Sequence, residues 1–250
     1  MGQYDHDKIL NHWDDNKVES MYDKILLNAE IEMINQRIQD GAKILDAGCG
    51  EGEGTEVYSS IPEAKVHAVD FSDTRLKKAR ARLRNRNNVT LEKVDFTGEY
   101  HLDSDYDVVV SQRFLINLTE WGLQKKTLLA LMAVLKKTGR LIMLEGFVQG
   151  VAELNRFREQ MDLPPIPIPW HNLFFDEETL FSFMSEHGFN LVDSDGLGGY
   201  FLLTRGVRPA LDTKLHWDCD FNKSAITKDL ADLLGVKSRF SRLKLWVFQK

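Results

Sequence analysis

Glycine occupies every second position from Gly48 to Gly54, in the stretch ILDAGCGEGEGT, residues 44 to 55. Two aliphatics lead through an acid into this loop. Glycines alternating at the end of an apolar run mark a place where backbone comes very close to another group. The loop therefore demands a strand before it and a binding function beside it, and the rest of the chain has to supply both.

The flanking pattern supplies the strand and a sheet around it. The stretch VESMYDKILLNAEIEMINQRIQDG places Met21, Ile25, Leu26, Ile31, Ile34 and Ile38 at helical spacing, with Gly41 as the stop. From Lys43 onward, strand-like and helix-like segments alternate. KILDAG, KVHAVDF, VTLEKVDF, YDVVVSQ and RLIMLEG read as five strands. SDTRLKKARARLRNR, capped by Ser72 or Asp73, and EWGLQKKTLLALMAVLKKTG, stopped by Gly139, read as helices between them. Helical crossovers of this length predict an α/β fold with a doubly wound, mostly parallel sheet. LPPIPIPW, residues 163 to 170, holds four of the six prolines and reads as a stiff extended loop. A helix capped by Asp176, a sixth strand FNLVDS and a last strand RLKLWVFQK follow. Residues 198–235 form an addition whose secondary structure periodicity leaves open. The whole reads as one domain, 1–250. It comprises a helical cap (1–41), a core (42–146) and an acceptor-side part (147–250) with insertions after strands five and six.

Composition excludes several classes. A net charge of −6 argues against a broad nucleic-acid footprint. The two cysteines, Cys49 and Cys219, fit a reduced, cytoplasmic setting, since a disulfide inside the glycine loop would be awkward. No apolar run reaches the length of a membrane span, and the polar start lacks the apolar core of a signal peptide.

Three ligands use such a loop: a dinucleotide, a nucleotide phosphate and S-adenosylmethionine. The dinucleotide pattern G-x-G-x-x-G needs a third glycine, and the two possible registers put Glu53 or Thr55 there. The phosphate loop ending in Gly-Lys-Ser/Thr is absent. Glu51 and Glu53 suit a helix N-terminus but would repel a pyrophosphate.

The pattern Asp46-x-Gly48-x-Gly50-x-Gly52 resembles the first motif of the class I S-adenosylmethionine-dependent methyltransferases, and the resemblance runs over about residues 42–146. It implies a seven-stranded Rossmann-like sheet and S-adenosylmethionine as cofactor, released as S-adenosylhomocysteine. It also implies that Gly48, Cys49 and Gly50 lie beside the methionine moiety and ribose, with Asp46 orienting the amino-acid end. Asp70, ending the second strand, then accepts the ribose hydroxyls. Asp95, ending the third, faces the adenine amino group. Phe71 and Phe96 wall the ring, and Ser111 follows the fourth strand. Single strand-end acids are often turn formers, but three in this order with the loop make a site. The segments QRFLINL, MLEG and PWHNLFFDEE further resemble bacterial methyltransferases of surface-polysaccharide and specialised-metabolite synthesis.

Rival readings fail locally. SQRF stands where base-methylating enzymes carry Asn/Asp-Pro-Pro-Tyr/Phe, and the basic helix 75–86 reads as a solvated face. Ser111 and Gln112 replace the acid that catechol-type metal catalysis needs, so no metal is expected. Acceptor-side candidates are Tyr22, Gln112, Arg113, Asn117, Gln149, Trp170 and Asn172, which suit a hydroxyl-rich or anionic small molecule. The expected reaction is O-methylation of a sugar, glycan or specialised-metabolite hydroxyl, with N-methylation of a small amine or amino sugar as the alternative. His171, on a rigid segment, is the candidate general base. The expected partner is this acceptor alone, with neither nucleic acid nor membrane, on a monomer or homodimer.

Overall fold

Along each central strand, successive side chains enter two different apolar clusters. Leu45, Val109, Leu141, Met143, Trp246 and Phe248 join one; Ile44, Val108, Val110, Ile142, Leu245 and Val247 join the other. The period-2 pleat thus buries both faces, as a helix-covered sheet requires. The computed structural model describes residues 4–211, 214, 216–227 and 234–250.

Seven strands form one sheet: β1 (Lys43–Ala47), β2 (Lys65–Asp70), β3 (Val89–Lys93), β4 (Tyr106–Gln112), β5 (Leu135–Gly146), β6 (Asn190–Gly196) and β7 (Leu243–Gln249). Their order is β3-β2-β1-β4-β5-β7-β6. The first five run parallel, and β7 lies antiparallel between β5 and β6. The expected seven-stranded, mostly parallel α/β sheet is what the chain forms. The strand order reverses between β1 and β4, and a crevice outside the carboxyl ends of those strands is where such sheets bind ligands.

Ten helices are described: α1 (His6–Asp14), α2 (Lys24–Asn35), α3 (Glu53–Tyr58), α4 (Asp73–Arg82), α5 (Trp121–Ala133), α6 (Val148–Gln160), α7 (Glu177–Glu186), α8 (Gly198–Phe201), α9 (Arg208–Leu211) and α10 (Asp220–Ala225). Three differences from the sequence expectation have local causes. The Asp23 carboxylate accepts from Leu26 N at 3.1 Å, so α2 starts at Lys24 rather than near Val18. The same helix ends at Asn35, and Gly41 instead turns the chain into β1 with φ 74°. Gly139 lies inside β5, where a Cβ would stand 2.9 Å from Tyr106 O, and α5 has already ended at Ala133. The Ser72 and Asp176 caps are present. The open segment after residue 198 is helical: α8 runs through a π-helical turn, Leu202–Val207, into α9. Residues 212, 213, 215 and 228–233 of that addition lie outside the described residues, as do residues 1–3 of the start.

Candidate active site

Gly48, Gly50 and Gly52 all adopt the left-handed conformation, with φ of 75°, 55° and 79°. That explains the first three alternating glycines, which take a backbone geometry that a Cβ disfavours; the fourth, Gly54, lies in α3, where a Cβ would stand 2.9 Å from Tyr58 Oη. Gly48 N and Cys49 N both donate to Val69 O, at 2.8 and 3.0 Å, pinning the loop to β2. A Cβ on Gly48 would stand 2.5 Å from Phe114 Cβ, while one on Gly50 would meet no atom within 4 Å. The close approach at Gly48 is therefore to an aromatic ring of the protein, and room for a ligand lies at Gly50.

A cleft opens over this loop. Gly48, Cys49, Gly50, Asp46, Asp70, Phe71, Asp95 and Phe96 line it, so eight of the nine expected cofactor residues converge. Asp46 is buried and accepts from Thr55 Oγ1 at 2.6 Å; burial, against that bond and helped by Asp70, lifts its pKa to about 6. Asp70 accepts from Gly50 N through Oδ2 and from Ser72 N through Oδ1, each at 2.9 Å. Burial pushes its pKa up against those two backbone bonds. Each carboxylate oxygen keeps a further acceptor site, so Asp70 both anchors the loop and retains capacity for a diol. Asp95 differs most from expectation. Its Oδ1 accepts from Thr97 N and Oγ1, and its Oδ2 lies 2.6 Å from His6 Nε2 of α1. The ninth residue, Ser111, is fully buried and off the cleft; its Oγ donates to Glu145 at 2.6 Å.

The charges beside the loop are compensated. Arg75 of α4, itself buried, binds Glu51 and donates to Trp13 O and Val18 O. Lys78 Nζ donates to Glu51 at 2.8 Å. Burial would raise the Glu51 pKa, and Lys78 and Arg75 outweigh it and hold the pKa low. The basic helix is thus not merely a solvated face. It neutralises the loop acids and ties down the N-terminal segment, which weakens the expected repulsion of a pyrophosphate.

Glu145, at the end of β5, was invisible to sequence reading. It is fully buried and accepts from Ser111 Oγ and from Phe114, Leu115 and Ile116 N at 2.6 to 3.3 Å. These bonds hold the loop after β4, where Arg113 takes φ 51°. Burial lifts the Glu145 pKa to about 7 in spite of the four donors.

Of the acceptor-side candidates, Gln112, Arg113 and Asn117 line the cleft. Asn172 stands behind them, donating to Asn117 Oδ1 at 3.0 Å. The other three do not reach it. Tyr22 and Trp170 are exposed, and Gln149 caps α7 by bonding Asp176 and Glu177. His171 is not among the lining residues either. Its ring stacks on His12 at 4.4 Å and packs edge-on against Trp13 and Trp170. Its Nδ1 is enclosed without a partner among the described residues. Burial, then the His12 charge, pushes its pKa down to about 4. His6 and His12 are both engaged, His6 with Asp95 and His12 with the His171 ring. Trp13, like Tyr22 a candidate from the N-terminal cap, does line the cleft, and Tyr4, Ile9, Ser20 and Leu27 line it too. No local pattern marks these four, because only the docking of the N-terminal segment brings them there. Among the described residues no group of three or more His, Cys, Asp or Glu is placed to hold a metal ion, and no helix is long and apolar enough to cross a membrane.

A family model described as a methyltransferase domain matches residues 44–139. The demethylmenaquinone methyltransferase of Staphylococcus carnosus is 25% identical over 173 residues, spanning 68% of this chain and 70% of its own. The ubiquinone/menaquinone biosynthesis C-methyltransferase UbiE of Cronobacter sakazakii is 29% identical over 196 residues, spanning 68% and 76%. Among solved structures, a Haloferax volcanii methyltransferase in complex with the activator Trm112 shares the fold, with a TM-score of 0.62, 14% identity and coverage of 91% and 92%. So does the magnesium protoporphyrin IX methyltransferase of Synechocystis with bound S-adenosylhomocysteine, with a TM-score of 0.56, 14% identity and coverage of 100% and 90%. The likeness to surface-polysaccharide enzymes gains no support from these relatives.

Proposed function

We propose that this chain, a class I S-adenosylmethionine-dependent methyltransferase, methylates a small acceptor that brings its own nucleophile, a phenolate or enolate, rather than a sugar hydroxyl. The donor set fits the cofactor. The cleft carries acids at the ends of β1 and β2 and just beyond β3, two aromatic walls and a loop open at Gly50. None of these demands a phosphate. When bound, S-adenosylmethionine supplies a methyl carbon on a sulfonium, and a neutral sulfide departs. Asp70 and Asp46 hold its polar ends, and Phe71 and Phe96 exclude water from the ring. The acceptor then falls to the β4 end of the cleft.

One observation carries the reading. The β4 end offers Gln112, Arg113 and Asn117, which are a cation and two amides, and no titratable base. Glu30 lies behind Gln112, bonded to it at 2.9 Å, and is not part of the lining. A sugar hydroxyl needs its proton removed, and a neutral His171 with a pKa near 4 outside the cleft is poorly suited to that. A phenolate or enolate needs only alignment and a donor; Arg113, already paired through Nε with Glu30 at 3.2 Å and donating from Nη1 to Ser20 O, offers its remaining guanidinium N–H groups. The C-methyltransferase name of the Cronobacter relative supports this reading, and the Staphylococcus relative is named for a quinone-type acceptor.

The test is a panel of acidic phenols, hydroxyquinols, sugar nucleotides and amines, read by S-adenosylhomocysteine release and by NMR of the product. The pH–rate midpoint should move with the pKa of each phenol. Faster turnover of sugars or amines, or a midpoint independent of the acceptor, would overturn the proposal.

A further inference from the structure

Gln112, the last residue of β4, and Arg113, the residue after it, turn to the same buried oxygen. Gln112 Nε2 donates to Glu30 Oε2 of α2 at 2.9 Å. Arg113 Nε lies 3.2 Å from that oxygen, as an ion pair rather than a hydrogen bond. Glu30 is fully buried, and its other oxygen, Oε1, is enclosed without a partner. Glu30 itself does not line the cleft, but both side chains that it holds do.

This contact decides which way each lining side chain faces. A carboxylate accepts and does not donate, so the Gln112 amide gives it the NH₂ end. The carbonyl end, Gln112 Oε1, is left over: among the described residues it has no hydrogen bond, and it is not enclosed. Arg113 Nη1 donates to Ser20 O at 3.0 Å, while Nη2 has no hydrogen bond among the described residues and is not enclosed either. Asn117 is more committed, because its Nδ2 donates to Arg113 O and its Oδ1 accepts from Asn172. Since Gln112 and Arg113 meet at one oxygen, their free ends are neighbours on the cleft wall, one an acceptor and one a charged donor. Burial raises the Glu30 pKa against the charge of Arg113. A proton on this acid belongs on the unpartnered Oε1, and Oε2 then accepts as before, so the arrangement is the same in either state.

We propose that Glu30 is the positioning residue of the acceptor end, and that through it Gln112 Oε1 and Arg113 Nη2 select an acceptor with a hydroxyl donor beside its oxyanion. This rests on the acceptor being a phenolate or enolate bound at the β4 end. The class that fits is the monoanion of an ortho-dihydroxy aromatic or of an ene-diol. Its oxyanion takes the guanidinium N–H, and the neighbouring O–H donates to the Gln112 carbonyl. An untethered glutamine could turn either end to a ligand; one held by Glu30 cannot. An acceptor without the second hydroxyl leaves the carbonyl unpaired in a site closed to water. The competing arrangement has Glu30 only neutralising Arg113, and then a hydroxyl beside the oxyanion makes no difference to binding.

Calorimetry on the full chain saturated with S-adenosylhomocysteine separates the two, with 4-nitrocatechol and 4-nitrophenol as probes. Both ionise at the oxygen para to the nitro group, and only the catechol has a hydroxyl beside it. 4-Nitrocatechol should bind at least about tenfold more tightly. In Glu30→Gln, whose carbonyl can still accept from Gln112, the preference should persist. In Glu30→Leu and in Gln112→Met it should fall below about twofold. Equal binding of the two probes by the wild type overturns the inference and leaves the phenolate reading standing; binding of neither removes both. A Glu30→Leu variant that keeps the preference overturns the positioning role, and so does a Glu30→Gln variant that loses it. The wild-type comparison needs no variant to fold, and S-adenosylhomocysteine affinity reports whether each variant has done so.

Discussion

His6 Nε2 stands 2.6 Å from Asp95 Oδ2, so the helix that covers the cleft is fastened to the acid just beyond β3. Asp14 continues the fastening at the other end of α1, accepting from Ser72 Oγ and from Thr74 N. Between them, Ile9 and Trp13 face the cleft. A cofactor entering this cleft has to displace α1 or pass beneath it.

The contact carries a pH signature. Partial burial would lower the His6 pKa, but the bonds and charges of Asp95 and Asp7 raise it. Burial would raise the Asp95 pKa, and Thr97 and His6 lower it. A raised histidine contributes stability below about pH 6.5 that is lost as pH climbs through its folded value. A lowered aspartate contributes above about pH 4 and is lost on acidification. The pair is strongest between those limits. His6→Gln should therefore weaken α1 protection in hydrogen exchange more at pH 5.5 than at pH 8. Both groups are about one-third exposed, so the effect should stay within about 1 kcal/mol. An equal effect at both pH values would sink the latch.

His171 has the opposite sign. Its folded pKa near 4 lies below the ordinary value, so its contribution is present above about pH 6.5 and lost as pH falls toward 4. The full shift corresponds to about 3 kcal/mol, and because the ring is only half-buried, solvent screening should reduce this to roughly 1–2 kcal/mol. His171→Phe should flatten that acid loss in thermal melts. In His171→Ala, kcat should fall less than tenfold, because the side chain does not line the cleft. A fall of about 10²-fold or more at unchanged Tm would reinstate it as a general base.

Gly48 and Phe114 should behave as a coupled pair. A Cβ at Gly48 would overlap Phe114 Cβ, Cγ and Cδ2, at 2.5 to 2.8 Å. Gly48→Ala should lower Tm as well as S-adenosylhomocysteine affinity. Adding Phe114→Ala should recover part of the Tm loss, with a coupling of about 1 kcal/mol or more in a double-mutant cycle. Additive effects would show that the ring is not the obstacle.

Glu145→Gln keeps an oxygen for Ser111 Oγ and the Phe114 and Leu115 N–H groups and sets an amide NH₂ against Ile116 N–H. The expected cost is about 1–3 kcal/mol at pH 5, from that one donor left unpaired in the interior. The sign with pH follows from the raised pKa. The wild-type contribution is greatest below about pH 4.5 and is lost as pH rises through about 7, where the buried carboxyl must ionise. The mutational cost should therefore shrink by pH 8. Acceptor KM should rise with S-adenosylhomocysteine affinity unchanged, since the β4 loop moves and the glycine loop stays.

The features that sequence alone determined are those governed by neighbours in the chain. Alternating glycines state a backbone requirement, and all three at 48, 50 and 52 meet it in the left-handed region. Apolar runs punctuated by turns state strands, and Asp46, Asp70 and Asp95 fall on or just past the ends of β1, β2 and β3 because turns follow there. Only the tertiary structure decided what faces those acids. His6 reaches Asp95 across 89 residues, and Tyr200 reaches Asp23 across 177. Glu145 lies beneath a loop some thirty residues earlier in the chain, and Arg242 borders the same strand end as Arg113. Such encounters depend on which helix covers which face of the sheet and on where β7 inserts. Those choices are set by the fit of whole surfaces, so no local spacing records them.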